Sequence, residues 1–185
     1  MRRALDTLYA LALYASALCL LSIALMVGAQ LAGRLVDGTL ALVGLPRTDF
    51  VVLSLAEICG YLLAAASFLA LAGTLKAGAH IRVTMALSSM GEHARRYAEM
   101  LAFALAALGA AYMSWHLGYF AWISFQFNDV SPGVIRVPLW YPQAAMALGA
   151  VILTVALLDE LVTVAWRGRP SFRVVEDAVT LGKEG

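Results

Sequence analysis

The chain of 185 residues is 62% hydrophobic and 14% charged, with a mean hydropathy of +0.82. A soluble domain has about 45–50% apolar and about 25% charged residues, so this composition excludes a soluble globular protein and indicates an integral membrane protein. The net charge of +1, without a basic patch interleaved with aromatic residues, excludes nucleic acid as an expected partner. Cys19 and Cys59 both lie in apolar runs, which favours buried small hydrophobes over a disulfide or a metal site.

The first predicted membrane helix covers residues 8–32, an apolar run longer than the core of a cleaved signal peptide. A connecting segment is expected at residues 34–49, because Gly38, Gly44 and Pro46 are helix breakers. The second predicted helix covers residues 50–75 and carries one acidic residue, Glu57.

Glu57 is the most informative single residue of the apolar segments. A helix that begins near Phe50 places it roughly 10 Å below the outer surface, at 1.5 Å per residue. A carboxyl group at that depth is costly unless it faces protein or water. We therefore expect a hydrogen bond or ion pair at a subunit interface, or a pair with Arg34 of the first helix. The alternative is a carboxyl group that reaches the lipid headgroups alone.

Two further helices are expected after a short interfacial segment that follows the second helix. The third spans the membrane over about residues 100–125 and ends in a cluster of aromatic residues typical of a membrane interface. The fourth covers residues 138–166, and a polar tail occupies residues 167–185. The prediction is thus an all-α membrane protein, a bundle of four transmembrane helices forming a single domain over residues 1–185.

The basic residues predict the orientation, since cytoplasmic loops are enriched in Lys and Arg. If both termini are cytoplasmic, ten basic residues lie inside and three outside, which fits that rule. The outer three are Arg34, Arg47 and Arg136; the inner ten are Arg2, Arg3, Lys76, Arg82, Arg95, Arg96, Arg167, Arg169, Arg173 and Lys183.

Acidic residues of the fourth helix and the histidines leave alternatives open. Asp159 and Glu160 could pair with Lys76, His80 or Arg82, or be solvated. His80 and His116 suggest a second class of protein, a haem- or quinone-associated membrane anchor of a respiratory enzyme. The two histidines are expected at different depths, so one haem cannot bind both, and a hydrogen-bonded packing role is favoured for His116. We expect no catalytic residue, metal site or cofactor, because no paired intramembrane acid or hydrolase motif occurs.

Two stretches resemble a known family. Residues 57–83, EICGYLLAAASFLALAGTLKAGAHIRV, combine an acidic residue near the outer end of a helix with a small-residue middle and a basic exit. Residues 131–143, SPGVIRVPLWYPQ, combine a serine with a proline and a tryptophan at the entry to the last helix. Both resemble the DctQ-like small membrane subunit of tripartite ATP-independent periplasmic (TRAP) transporters.

The resemblance implies a scaffold rather than a carrier. It implies a multi-pass protein of the bacterial inner membrane that braces the large membrane subunit and helps to dock a periplasmic substrate-binding protein. The system would take up an organic acid, driven by an ion gradient. The residues that match patterned positions of the family, and are therefore expected to act in assembly, are Glu57, Arg34, His80, Arg82 and Trp140.

Overall fold

The computed structural model describes residues 2–77 and 91–167, and within them it contains four long α-helices. Each is long and apolar enough to cross a membrane, which confirms the predicted all-α fold. The orientation of the termini stays a prediction. The helices are α1 (Arg2–Val43), α2 (Leu55–Lys76), α3 (Glu92–Gln126) and α4 (Trp140–Arg167). The predicted interfacial segment and the polar tail lie outside the described residues.

Helix α1 is much longer than the sequence predicted. It continues through Gly38 and ends only at Val43, so 42 residues extend over about 63 Å. The signal that ends it is Gly44, which adopts a positive φ of 75°. The Gly44 N–H donates to Ala41 O and the Leu45 N–H donates to Leu40 O, a Schellman motif that satisfies the last carbonyl groups. Gly38 is therefore an interior residue of the helix. The connecting segment predicted at residues 34–49 begins too early in the sequence, since the helix ends only at Val43.

The connection from α1 to α2 folds back on the end of α1. The Gln30 side chain accepts a hydrogen bond of 2.6 Å from the Val52 N–H, and the Phe50 ring lies directly against Gly33, where a Cβ atom would clash. Asp37 accepts from both the N–H and the hydroxyl of Thr48. These bonds hold residues 45–54 outside any helix, so α2 begins at Leu55 rather than near Phe50.

The α3–α4 connection is a tight turn structure. Asn128 has a positive φ of 52°, and the Asp129 N–H donates to Ser124 O, so α3 ends in the same manner as α1. Val130 and Pro138 then form an isolated antiparallel bridge. Pro138 belongs to this turn, and α4 begins two residues after it.

The helices pack in the order α1–α2–α4–α3, and α1 also touches α4. The interface between α3 and α4 is the largest. Buried apolar side chains from all four helices form one core, which lies nearer the end where α1 begins and α2 ends. It consists of Tyr9, Ala12, Ala72, Leu75, Phe103, Ala107, Ala110, Ile152, Ala156, Leu157 and Val164.

Small residues and hydroxyl groups join the helices at depth. Ser16 of α1 donates a buried hydrogen bond of 2.8 Å to the Ala66 carbonyl of α2. The hydroxyl groups of Ser114 and Thr154 lie 3.1 Å apart between α3 and α4. At Gly149 of α4, a Cβ atom would lie 2.5 Å from the backbone carbon of Phe68. Such close contacts replace the hydrophobic effect, which does not drive helices together in lipid.

We predict that Gly149→Ala destabilises the protein, whereas Gly60→Ala does not. Alanine favours a helix by about 1 kcal/mol over glycine at both positions. At Gly149 the new methyl group meets α2 backbone, which cannot move aside, and overpacking costs about 1–3 kcal/mol. At Gly60 nothing lies within 4 Å. Denaturant unfolding in micelles, followed by circular dichroism, should separate the two variants; equal stability would refute the close α2–α4 contact.

Candidate functional sites at the two ends of the helices

One lysine connects two helices near the end of the core. Lys76, the last residue of α2, places its Nζ atom 2.5 Å from Asp159 Oδ2 and 2.9 Å from Glu160 Oε1 of α4. Glu160 is fully buried, while the Lys76 and Asp159 side chains are each 19% exposed. Two adjacent carboxylates thus face one ammonium group. We call Lys76, Asp159 and Glu160 the lysine cluster.

Helix α1 completes the surroundings of the lysine cluster. The buried ring of Tyr9 lies 5.5 Å from the Lys76 Nζ atom, within the range of a cation–π interaction. The Tyr9 hydroxyl group is buried and forms no hydrogen bond with any described residue. The aromatic ring of Tyr9 therefore supplies the contact with Lys76, and its hydroxyl group takes no part in any hydrogen bond among the described residues.

Helix α3 joins the same end through Arg96, beside an ion pair within α3 itself. The Arg96 guanidinium donates to the Ala165 carbonyl in the last turns of α4, where a positive charge also suits the helix dipole. The Arg95 Nε atom lies 3.6 Å from the Glu99 carboxylate one turn further along α3. The four helices thus meet at one end: Lys76 pairs with α4 and lies against the Tyr9 ring of α1, and Arg96 connects α3 to α4.

The lysine cluster settles one of the alternatives left by the sequence. Asp159 and Glu160 pair with Lys76, and the burial of Glu160 excludes the solvated alternative. His80 and Arg82, the other proposed partners, lie outside the described residues. A buried ion pair is weak evidence for net stability, but the loss of one partner is expensive.

Glu57 has an intrachain neighbour that the sequence did not predict. It lies in the first turn of α2, half-buried, and its Oε1 atom accepts a hydrogen bond of 2.8 Å from the Tyr61 hydroxyl. Its other oxygen lies against Gly133 of the α3–α4 turn, where a Cβ atom would be only 1.7 Å away. Between Arg34 and Glu57, both described, there is no ion pair, and Arg34 is exposed on α1. The suggested Arg34 partner is therefore wrong.

The turn beside Glu57 is fixed by two serines. Buried Ser131 donates through its hydroxyl to Ile135 O and accepts from the Val137 N–H. Ser54, which precedes α2, accepts from the Ile135 N–H. The resemblance emphasised Ser131, and its hydroxyl group closes this turn. We name residues 127–139 the outer turn, after the side of the membrane on which the sequence predicts it.

Trp140 is the first residue of α4 and links two helices through its ring. The ring stacks on Tyr141 at 3.9 Å between centroids and meets the edge of Phe125 of α3 at 5.6 Å. These contacts fix the entry of α4 against the exit of α3. An additional role of Trp140 in subunit assembly stays a prediction.

His116 does not pack in the interior. It lies exposed on α3, and its ring contacts Tyr112 at 4.3 Å between centroids. The expected hydrogen-bonded packing role is therefore wrong. Among the described residues, no group of three His, Cys, Asp or Glu side chains could hold a metal ion.

The family model described as "Tripartite ATP-independent periplasmic transporters, DctQ component" matches residues 23–167, which is more than half of the chain. The chain belongs to the DctQ family. No curated protein matches it. The resemblance drawn from residues 57–83 and 131–143 is confirmed.

DctQ membership makes the chain a component of a transporter family, not of an enzyme family. The matched range contains the lysine cluster, Glu57 and the outer turn, whereas Tyr9 precedes it. The sequence analysis did not predict the contacts of Tyr9 with Lys76, or those of Tyr61 and Gly133 with Glu57. Tyr61 was detectable, since it lies four residues after Glu57 on the same helix face. Gly133 was not, because only the fold brings the outer turn to α2.

We predict that Lys76→Met lowers the free energy of unfolding by about 3–5 kcal/mol, because a buried ion pair loses its cation. Adding Asp159→Asn and Glu160→Gln should recover part of this loss. Tyr9→Phe, which keeps the aromatic ring, should be neutral or slightly stabilising. Denaturant unfolding in micelles measures all variants. A Lys76→Met protein as stable as the wild type would show that the lysine cluster holds nothing together.

A second prediction concerns Glu57. Gly133→Ala should push the carboxylate away from Tyr61 and cost about 1 kcal/mol, the usual worth of a hydrogen bond. In a Glu57→Ala background the same substitution should cost much less, because of the three nearest atoms only Ser54 Oγ, at 3.1 Å, then remains. A double-mutant cycle gives this coupling directly. Additive effects of the two substitutions would mean that Glu57 and Gly133 do not interact.

Proposed function

We propose that this protein is the small permease subunit of a TRAP-type secondary transporter and braces the large membrane subunit. Membership of the DctQ family supports the class. The observation that carries the scaffold role is the continuity of the helices: each described membrane helix is unbroken along its length. A carrier normally binds substrate near the midplane, between broken helices with converging polar groups.

The serine hydroxyl groups in the middle of the apolar segments are already engaged. Ser16 bonds to the α2 backbone, Ser114 meets Thr154, and Ser67 donates to Leu63 O of its own helix. No arginine or lysine occurs in the middle of the four apolar segments, so nothing there would hold a carboxylate. The substrate, proposed to be an organic acid, and the coupling ion therefore belong to the large subunit and the binding protein.

The rigid ends suit an assembly role. Arg34 on α1 and Trp140 at the start of α4 are proposed to contact the large subunit, together with His80 and Arg82. The outer connections present exposed apolar side chains, among them Phe50, Val51, Phe127 and Val134, to a docking partner. We propose that this partner is the periplasmic substrate-binding protein.

The proposed location is the bacterial inner membrane, with both termini in the cytoplasm. The ten-to-three distribution of basic residues supports this orientation. The haem-anchor alternative gains no support, because His116 is exposed beside Tyr112 and the family is one of transporter components.

Coexpression with the large subunit and the binding protein tests the proposal. The chain, tagged after Gly185, should copurify with the large subunit, and external protease on spheroplasts should leave the tag intact. In liposomes the chain alone should give no ion-gradient-driven uptake of labelled organic acids, whereas the three components together should. Arg34→Gln should reduce copurification several-fold, and Arg3→Gln, at the other end of α1, should not. Uptake by the chain alone, or no copurification, would overturn the scaffold role.

A further inference from the structure

An apolar groove of about 310 Å³ runs along the surface between α3 and α4. It exists because alanines on α3 leave space beside the leucines of α4. The residues that line it include Ala104, Ala107, Ala111, Thr154, Leu158 and Leu161. From Ala104 to Ala111 it covers about 10 Å along α3, which fits within one leaflet of a hydrocarbon core about 30 Å thick.

Thr154 is the one lining residue with a hydroxyl group, and that group is not free to bind an occupant. Thr154 donates to Ala150 O and shares a hydrogen bond with Ser114, so its oxygen is engaged. An occupant must therefore be apolar over this length. The groove is also small, about 310 Å³ over about 10 Å of helix, which suits a narrow apolar occupant.

A cation lies beyond one end of the groove. Arg96 is exposed and precedes Ala104 by eight residues, about 12 Å along α3. Its contact with the Ala165 carbonyl places it over the same α3–α4 interface. Unlike Lys76 and Arg95, it forms no ion pair with a described residue, and the guanidinium keeps further N–H groups for an anion.

We propose that this groove holds an acyl chain of an anionic phospholipid whose phosphate binds Arg96. The narrow apolar groove fits the chain. The Arg96 guanidinium, which forms no ion pair with any described residue, fits the phosphate, which arginine binds through two parallel hydrogen bonds. The lipid fills the space that the alanines leave and neutralises the charge at the start of α3. This site is independent of the proposed transporter role.

Native mass spectrometry of the full chain in detergent tests the site. The chain is titrated with phosphatidylglycerol or phosphatidylcholine of identical acyl chains. We expect one phosphatidylglycerol to bind at least five-fold more tightly than phosphatidylcholine. Arg96→Gln should remove most of this preference, because it weakens phosphatidylglycerol more than phosphatidylcholine, whose choline ammonium already offsets the charge of its phosphate. Ala111→Phe, which fills the groove from an exposed position, should weaken both lipids at least five-fold.

Two exposed controls match these variants. Arg47→Gln removes a cation from the connection at the opposite end, and Ala102→Phe adds a ring on the opposite side of α3, two and a half turns before Ala111. Both should bind lipid as the wild type does, and circular dichroism confirms that each variant folds. Equal affinity for both lipids, or binding unaffected by Ala111→Phe, overturns the proposal. Loss of the copurifying large subunit in Ala111→Phe with unchanged lipid binding would assign the groove to a protein partner instead.

Discussion

The ammonium group of Lys76 lies where three helices of this protein meet. It belongs to α2, its two carboxylate partners belong to α4, and the ring beside it belongs to α1. Full burial of Glu160 means that this carboxylate cannot exchange its partner for water without moving the helices apart. In a low-dielectric environment the charges hold one relative height of α2 and α4, because a shift by one turn, about 5.4 Å, would separate them.

Away from this point, the helices are held by contacts that work equally well in lipid. Gly149 lets the α2 and α4 backbones touch, and the Ser16 hydroxyl bonds to the carbonyl of Ala66. Measured interhelical hydrogen bonds in membranes average only about 0.6 kcal/mol, so none of these suffices alone. The helices are thus joined by several weak contacts, and the ion pairs of Lys76 fix their relative position. Such a fixed arrangement suits a static brace better than a moving carrier.

Much of the fold was predictable because membrane length and hydrophobicity are properties of short stretches. The four helices followed from composition, whereas the pairing of Asp159 and Glu160 with Lys76 was one of several alternatives that the charges at the helix ends left open. The length of α1 did not follow from composition, because Gly38 and Gly44 look alike in the sequence, and only Gly44 adopts the left-handed conformation that ends a helix. The start of α2 depends on the hydrogen bond between Gln30 and Val52, and the surroundings of Glu57 depend on its contact with Gly133. Both contacts join residues far apart in the sequence, so no local pattern reveals them.

The packing order α1–α2–α4–α3 also has a consequence for biosynthesis. Helix α4 lies between α2 and α3, although it is synthesised after both. Lys76 leaves the ribosome 83 residues before Asp159, a delay of roughly 4–17 s at 5–20 residues per second. During that interval the hairpin of α1 and α2 has its own contact between Ser16 and Ala66, but the carboxylates for its terminal ammonium group do not yet exist. The lysine cluster of the nascent chain is therefore incomplete until α4 has been synthesised and packs between α2 and α3.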